Sequence, residues 1–337
     1  MRDRSEQLRV AIVGAGLMGR WHLAAAAWSG AEIVAVIDPD HARAARIAGS
    51  AAILEDFSAL PENLACDVVH ICTPSATHEN IVTMATQRGI HAFVEKPLAQ
   101  DEPTTRVMID LADRAGLQIC PVHQYAFQAG IEKVRSGLAR VGDIALIDLD
   151  FRTAGAVGRP PRDYAGIAAD ILPHPISILQ RILPRAIGPS DVWNITGQPN
   201  GTFTLGTVTG STLVRITISL MARPTCATLT VSGDKGSYVA DMFHGYTLFR
   251  NGTATRQSKM IRPFVDGFGH LGKAAANLTG RAIRREAAYP GLRTLCGRFY
   301  DSLVDKGPPP ISPRDIIEVA AIRDLFLARL GSGGAVP

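Results

Sequence analysis

The stretch Val10-Ala11-Ile12-Val13-Gly14-Ala15-Gly16-Leu17-Met18-Gly19 decides the fold. A short run of strand-forming apolar residues ends at Gly14, and a helix is predicted from Leu17 to Trp28. The spacing G-x-G-x-x-G gives each glycine its own task. Gly14 permits a tight strand-to-helix turn, because glycine alone takes positive φ at no steric cost. Gly16 lets backbone amides approach a pyrophosphate, which the positive end of the helix dipole also attracts. Gly19 lets the helix pack closely on the sheet. Gly14, Gly16, Leu17, Met18 and Gly19 are therefore the candidate pyrophosphate-binding segment.

A second apolar run, Glu32-Ile33-Val34-Ala35-Val36-Ile37, follows the helix and ends in Asp38, 19 residues beyond Gly19. The dinucleotide fold places a carboxylate at that distance to accept hydrogen bonds from the adenosine ribose. Its charge would repel a 2′-phosphate, which favours NAD over NADP as the cofactor. Arg43 and Arg46 in the next helix fit a solvated face better than a phosphate clamp.

The chain has 337 residues, room for two domains of ordinary size. Hydrophobic residues make up 46% and charged residues 20%, the composition of a soluble globular protein. A net charge of +4 is too mild to call for nucleic acid or an acidic membrane surface. Met1 to Arg9 is polar, and Val10 to Val13 is too short for the apolar core of a signal peptide. No apolar run approaches the roughly 20 residues that span a bilayer. Five cysteines (Cys66, Cys72, Cys120, Cys226, Cys296) are scattered, with no C-x-x-C pair. That pattern points to reduced thiols in the cytoplasm and to neither a disulfide frame nor a metal site. Cys72 and Cys120, beside apolar runs, read as buried inert thiols.

From Leu8 to about Val122 strands alternate with helices, the pattern of a parallel sheet with crossover helices. Asp67 to Cys72 reads as a buried strand, after which Ser75 can cap a helix running to about Arg88. A strand at Ile90 to Val94 runs into Glu95-Lys96-Pro97. A helix from about Asp101 to Ala115 and a strand at Gln118 to Val122 lead to His123-Gln124. In such sheets ligands bind beyond the carboxyl ends of the strands. Thr73-Pro74, Glu95-Lys96-Pro97 and His123-Gln124 all occupy such ends and should face the cofactor. Beyond Gly142 the pattern changes. A strand at Asp143 to Arg152 and a helix at Pro175 to Leu183 precede β-rich segments at Gly201–Leu205, Thr212–Leu220, Ala227–Ser232, Ser237–Ala240 and Tyr246–Phe249. Turn dipeptides such as Gly233-Asp234 and Asn251-Gly252 separate them, as in an antiparallel sheet. Helices are predicted near Val265–Arg284, Gly291–Asp305 and Pro313–Leu330. The fold class is thus α/β: an N-terminal Rossmann domain over 1–123 and an α+β domain over 124–330 with a large, mainly antiparallel open sheet. Residues 331–337 read as a disordered tail.

Gly14-Ala15-Gly16-Leu17-Met18-Gly19, Cys72-Thr73-Pro74 with His78 four residues on, and Glu95-Lys96-Pro97 together resemble the Gfo/Idh/MocA oxidoreductases. The resemblance covers most of the chain. It implies hydride transfer between a nicotinamide cofactor and a ring hydroxyl or ketone of a sugar, cyclitol or sugar derivative. It places Thr73, Pro74, His78, Glu95, Lys96 and Gln124 near the cofactor, and a cis peptide bond before Pro97. The family's aspartate, followed four residues on by a histidine, corresponds to Asp170-Ile171-Leu172-Pro173-His174. By resemblance His174 is the acid/base, Asp170 its partner and a substrate ligand, and Lys96 the cation that stabilises the substrate oxygen. The chemistry suits these types: a histidine titrates near neutrality, and a lysine favours developing alkoxide character. This chain departs from the family in having Leu172 where a glycine is usual. Pro173 and Pro175 suggest a helix that starts only near 175, with Asp170 and His174 in a turn.

Several residues carry two readings. His123 and Gln124 can contact cofactor or substrate, or make plain strand-end hydrogen bonds. Tyr164 is a reserve proton donor. His78 reads more readily as a loop-orienting residue than as a catalyst. Arg281, Arg284, Arg285, Arg293 and Arg298 form either a solvated face or an oxyanion site for a sugar acid or nucleotide sugar. The resemblance implies a homodimer or homotetramer built on the second sheet. The alternating Leu213, Ile216, Ile218 and Leu220 fit such an interface or the core. Two other functions share these features: a redox-neutral enzyme that recycles bound NAD, and an NAD-binding regulator without turnover.

Overall fold

The computed structural model of the chain describes residues 7–183, 187–252, 255–283 and 289–331. Six strands form one parallel sheet: β1 (Arg9–Val13), β2 (Glu32–Ile37), β3 (Ala52–Leu54), β4 (Val68–Ile71), β5 (His91–Val94) and β6 (Ile119–Pro121). Their order, β3-β2-β1-β4-β5-β6, reverses direction between β1 and β4. That switch point is where a parallel sheet of this kind opens a crevice beyond its strand ends. Helices α1 (Leu17–Trp28), α2 (His41–Ala48), α3 (His78–Gln87) and α4 (Glu102–Arg114) connect the strands. Asp40 and Asp101 cap α2 and α4 by accepting from the amides of Arg43 and Thr104. Ser75 does not cap α3. It starts a 3₁₀ turn, Ser75–Thr77, after which α3 begins at His78 without a side-chain cap.

Gly14 has φ of 93°, and a Cβ there would meet the Cys72 carbonyl oxygen at 2.7 Å. A Cβ on Gly19 would run into the Gly14 carbonyl oxygen. Both glycines are thus required by the close approach of α1 to the ends of β1 and β4.

The described chain divides into two units, 1–124 with 291–320, and 125–290 with 321–337. The segment after Gly291 therefore returns to the first unit, where a cut at 123/124 would assign it to the second. Its helix α9 (Leu292–Val304) packs on α1, with Phe299 stacked on Phe93 of β5 and the Tyr300 hydroxyl 2.7 Å from His70 Nε2. The helical period of 291–305 shows an apolar face but not which sheet that face will cover.

The second unit holds seven strands: β7 (Ile144–Arg152), β8 (Asn194–Gln198), β9 (Thr202–Thr209), β10 (Thr212–Ser219), β11 (Cys226–Gly233), β12 (Gly236–Asp241) and β13 (Tyr246–Asn251). The order is β13-β12-β11-β7-β10-β9-β8, antiparallel except for the parallel pair β7–β10. One face buries Ile147, Leu149, Phe151, Leu205, Val214, Ile216, Ile218, Leu229 and Val231. Each such side chain removed from water contributes about 1.5–3 kcal/mol. The other face carries Asp148, Asp150, Thr228, Thr230 and Arg215, and Arg215 is bidentate to Asp148 at 3.0 and 2.6 Å. The four apolar residues of 213–220 do not share a face: Ile216, Ile218 and Leu220 are core, whereas Leu213 is 48% exposed.

Helices α5 (Ala129–Ser136), α6 (Tyr164–Ile171) and α7 (Pro173–Ile182) belong to this unit, as does a long helix, α8 (Arg256–Ile283). The last helix is α10 (Pro313–Gly331). Of the tail read over 331–337, Gly331 ends α10 instead, and 332–337 lie outside the described residues. All five cysteines are free, and burial holds the thiols of Cys72 and Cys120 well above their usual pKa.

Candidate functional site

In the first unit the glycine turn and Asp38 are joined directly. Asp38, buried at the end of β2, accepts from the Ala15 amide through Oδ2 at 2.7 Å and from the Asp40 amide through Oδ1 at 2.9 Å. Arg43 Nη1 lies 3.8 Å from Asp38 Oδ2, and Arg43 Nη2 lies 3.3 Å from Asp40 Oδ2. No side chain caps the first turn of α1 at Gly16, and a Cβ there would meet nothing within 4 Å. These features fit a dinucleotide. The first-turn amides and the helix dipole suit a pyrophosphate, and the remaining lone pairs of Asp38 suit ribose hydroxyls. Leu17 is exposed at the start of α1, Met18 half-buried beside it.

Two strand ends of this unit, those of β4 and β5, are cross-linked. His78 is buried, with Nε2 2.9 Å from the Thr73 carbonyl and Nδ1 3.1 Å from that of Leu98. It thereby ties the Thr73-Pro74 loop to the loop after Lys96. The Lys96–Pro97 bond is cis. Glu95 is held from the other side: its Oε1 lies 3.0 Å from His22 Nε2, and its Oε2 accepts from the Lys96 amide at 3.2 Å. Burial alone would raise the Glu95 pKa. The His22 hydrogen bond and the charges of His22 and Lys96 more than offset this, leaving Glu95 below the ordinary carboxylate value.

His22 gives little sign in the sequence, since a histidine three residues after Gly19 reads as one more helix position. Its meaning depends on Glu95, 73 residues away. Behind this pair lies an aromatic cluster of His22, His70 and Phe93, closed by Tyr300. Burial, with the charge of His22, holds His70 well below its usual pKa.

His123 and Gln124 close β6, both buried. His123 Nδ1 and Gln124 Oε1 have no hydrogen-bond partner among the described residues. Burial, assisted by the charge of Lys96, lowers the His123 pKa to about 4, so its ring is neutral near pH 7. A buried polar atom left unsatisfied costs about 1–3 kcal/mol, so such atoms mark places where a ligand can complete the pairing.

In the second unit Asp170 and His174 lie on one helical path, not in a turn. Leu172 joins α6 to α7 with φ −55° and ψ −33°; its amide bonds Ala168 and its carbonyl accepts from Ile176. Pro173 and Pro175 occupy the first turn of α7, where no backbone donor is required, so they permit the helix that their presence argued against. Residues four apart on such a path share a side. His174 is buried, with its ring centroid 4.5 Å from that of Tyr125. Asp170 is half exposed, 3.6 Å from Arg323 of α10. Burial raises the Tyr125 hydroxyl above its usual pKa, with Tyr289 adding to the effect. Tyr164 is buried, its ring packed on Gly201. Neither Tyr125 nor Arg323 falls in a recognisable motif. Of the arginine group, Arg284 and Arg285 lie outside the described residues, Arg281 belongs to α8, and Arg293 packs over the Trp28 ring at 5.6 Å.

Residues 8–123 match a family model described as "Oxidoreductase family, NAD-binding Rossmann fold" (GFO_IDH_MocA). An inositol 2-dehydrogenase of Saccharopolyspora erythraea is 35% identical over 163 residues, 46% of this chain and 44% of that protein. The D-apiose dehydrogenase of Paraburkholderia graminis is 33% identical over 140 residues, 40% of this chain and 36% of that one. The chain thus matches less than half the length of these curated relatives. The WlbA dehydrogenase of Bordetella pertussis, solved with NADH and UDP-GlcNAcA, shares the fold at a TM-score of 0.74 and 17% identity, with 99% of this chain and 98% of that chain covered. Among the described residues no helix is long and apolar enough to cross a membrane.

Proposed function

We propose, from the premise that this chain belongs to the Gfo/Idh/MocA oxidoreductase family, that it is an NAD-dependent dehydrogenase of a carbohydrate-like ring. The substrate class is a sugar, cyclitol or sugar derivative bearing a ring hydroxyl or ketone. The observation that carries this reading is the Glu95-Lys96-Pro97 segment at the end of β5, anchored by His22 and His78 beside the neutral His123.

Gly14, Gly16 and Gly19 with Asp38 would hold the dinucleotide, and Thr73, Pro74 and Gln124 would line its nicotinamide end. When bound, NAD supplies the hydride acceptor. Asp38 and Asp40 put two carboxylates after β2 that engage Arg43 and would repel a 2′-phosphate, which supports NAD over NADP. Lys96 Nζ donates to the substrate oxygen and stabilises it as it gains alkoxide character. The His174 imidazole takes the hydroxyl proton, and Asp170 binds the substrate and steadies the charged ring. His123, kept neutral, is a hydrogen-bonding wall rather than a second base. Five free cysteines accord with a cytoplasmic location.

The test is absorbance at the NADH band with purified protein, NAD and a panel of free sugars, cyclitols, sugar acids and nucleotide sugars. A steady rise with one class is expected. Silence across the panel, with NADH still bound tightly, would move the assignment to a recycled-cofactor enzyme or a binding protein.

A further inference from the structure

Helix α8 is amphipathic in the reverse of the usual sense. Its polar side faces its own unit: Arg262 donates to the Asn251 carbonyl at 3.2 Å, and Asp266 pairs with Arg250 at 3.2 Å. His270 lies 3.3 Å from the Tyr246 hydroxyl, and Asn277 donates to the His244 carbonyl at 2.5 Å. Its apolar side points away from the sheet. Met260, Ile261, Phe264, Val265, Phe268, Leu271 and Leu278 are 57–72% exposed. A helix alone on a surface turns its apolar stripe inward, so this one is completed by something outside its own unit.

The pattern of the stripe indicates what. Ile261, Phe264, Phe268, Leu271, Ala275, Leu278 and Ala282 alternate steps of three and four, a heptad seam with no charged residue. Such a seam fits another helix with the same repeat. Gly267 and Gly272 flank it, and a Cβ on either would meet nothing within 4 Å. Glycine inside an exposed helix costs about 1 kcal/mol relative to alanine, and here it leaves room for a second backbone. Exposed side chains of this size offer roughly 100 Å² each. The five on the seam, Ile261, Phe264, Phe268, Leu271 and Leu278, together offer roughly 500 Å², over half of the roughly 800 Å² per partner of a standard interface. A lipid surface fits less well, because Arg262 and Lys273 lie about 150° and about 170° around the helix from the seam's centre. Membrane-surface helices carry their cations beside the apolar face.

We propose that α8 is a self-association helix whose outward seam packs against α8 of a second copy of this chain. The contact is isologous, seam on seam about a two-fold axis, and is separate from the open face of the seven-stranded sheet. The test is light scattering coupled to size-exclusion chromatography of the full chain at micromolar concentration, with Phe268→Glu and Leu271→Glu. Both sites are exposed in the single chain, so the variants should fold, which far-UV circular dichroism and NADH binding would check. The wild type should run as a dimer or a multiple of one. Each charge should weaken the association at least about 100-fold, as expected for a charge buried in an apolar contact. Lys273→Glu, off the seam, should leave it unchanged. A monomeric wild type, a seam variant that associates undiminished, or wild-type protein that pellets with anionic vesicles through the same residues would overturn the proposal.

Discussion

In the first unit His22 and Glu95 meet at 3.0 Å with both groups buried, and the Glu95 carboxylate also accepts from the Lys96 amide. In the second, His174 sits under Tyr125 on α7, while Asp170 lies half exposed at the end of α6 with Arg323 at 3.6 Å. The first arrangement is closed: charge and hydrogen bond are matched in a dry interior, and nothing in it can move without leaving a buried charge. The second keeps its carboxylate half in water beside Arg323 and its imidazole buried beside the Tyr125 ring. A histidine–carboxylate pair is therefore not one device. Closed, it fixes the backbone at Lys96; the open arrangement is the one proposed above to handle the proton.

The strongest way to break this contrast is to remove what the closed pair presents. Lys96→Ala should lower kcat/KM by about 10²–10⁴, the range of a positioned proton-transfer or oxyanion partner. NADH affinity should change little, and fluorescence titration beside steady-state kinetics separates the two. His22→Ala should act on stability first. Losing one member of a buried pair costs about 3–5 kcal/mol, read as a lower denaturation midpoint. His22→Gln, which can still donate to Glu95, should recover much of it.

The pH dependence sharpens the same contrast. The His123 pKa is depressed in the folded state, to about 4 from its ordinary 6.5, so the unfolded chain binds the extra proton between those values. Stability is then full above about pH 6.5 and falls as the pH drops towards 4, by roughly 3 kcal/mol for a shift of that size. His70, also depressed, adds in the same direction. Chemical denaturation across this window should show the loss, and His123→Gln should reduce it to the part that His70 supplies. The smallest effect belongs to the cofactor end. Asp38→Ser should shift the NADP/NAD preference by about tenfold or more, since it removes one of the two carboxylates that engage Arg43 and the one that would repel a 2′-phosphate, leaving Asp40 at 3.3 Å.

The closed half was largely legible in the sequence. Gly14, Gly16, Gly19 and Asp38 are bound by spacing within one βαβ unit, and Thr73, Lys96 and Gln124 are placed by the rule that strand ends face the ligand. Local period and punctuation suffice there. What stayed hidden depends on distance. His22 means little until Glu95 is beside it, and Arg323 is 153 residues from Asp170 in the chain. Strand β8, with Asn194-Ile195-Thr196-Gly197-Gln198, has one apolar side chain and is a strand because β9 offers it a ladder. Pro173 and Pro175 misled for a local reason. They read as helix breakers, yet in the first turn of α7 their missing donors are not needed.

The measurement that tests the contrast most directly is turnover and thermal midpoint of His174→Gln, taken side by side on the substrate class that the NADH panel identifies. Turnover is expected to fall at least about 100-fold, with the midpoint within a few degrees of the wild type. Undiminished turnover, or a collapse in stability like that of His22→Ala, would contradict the account and make the second pair structural as well.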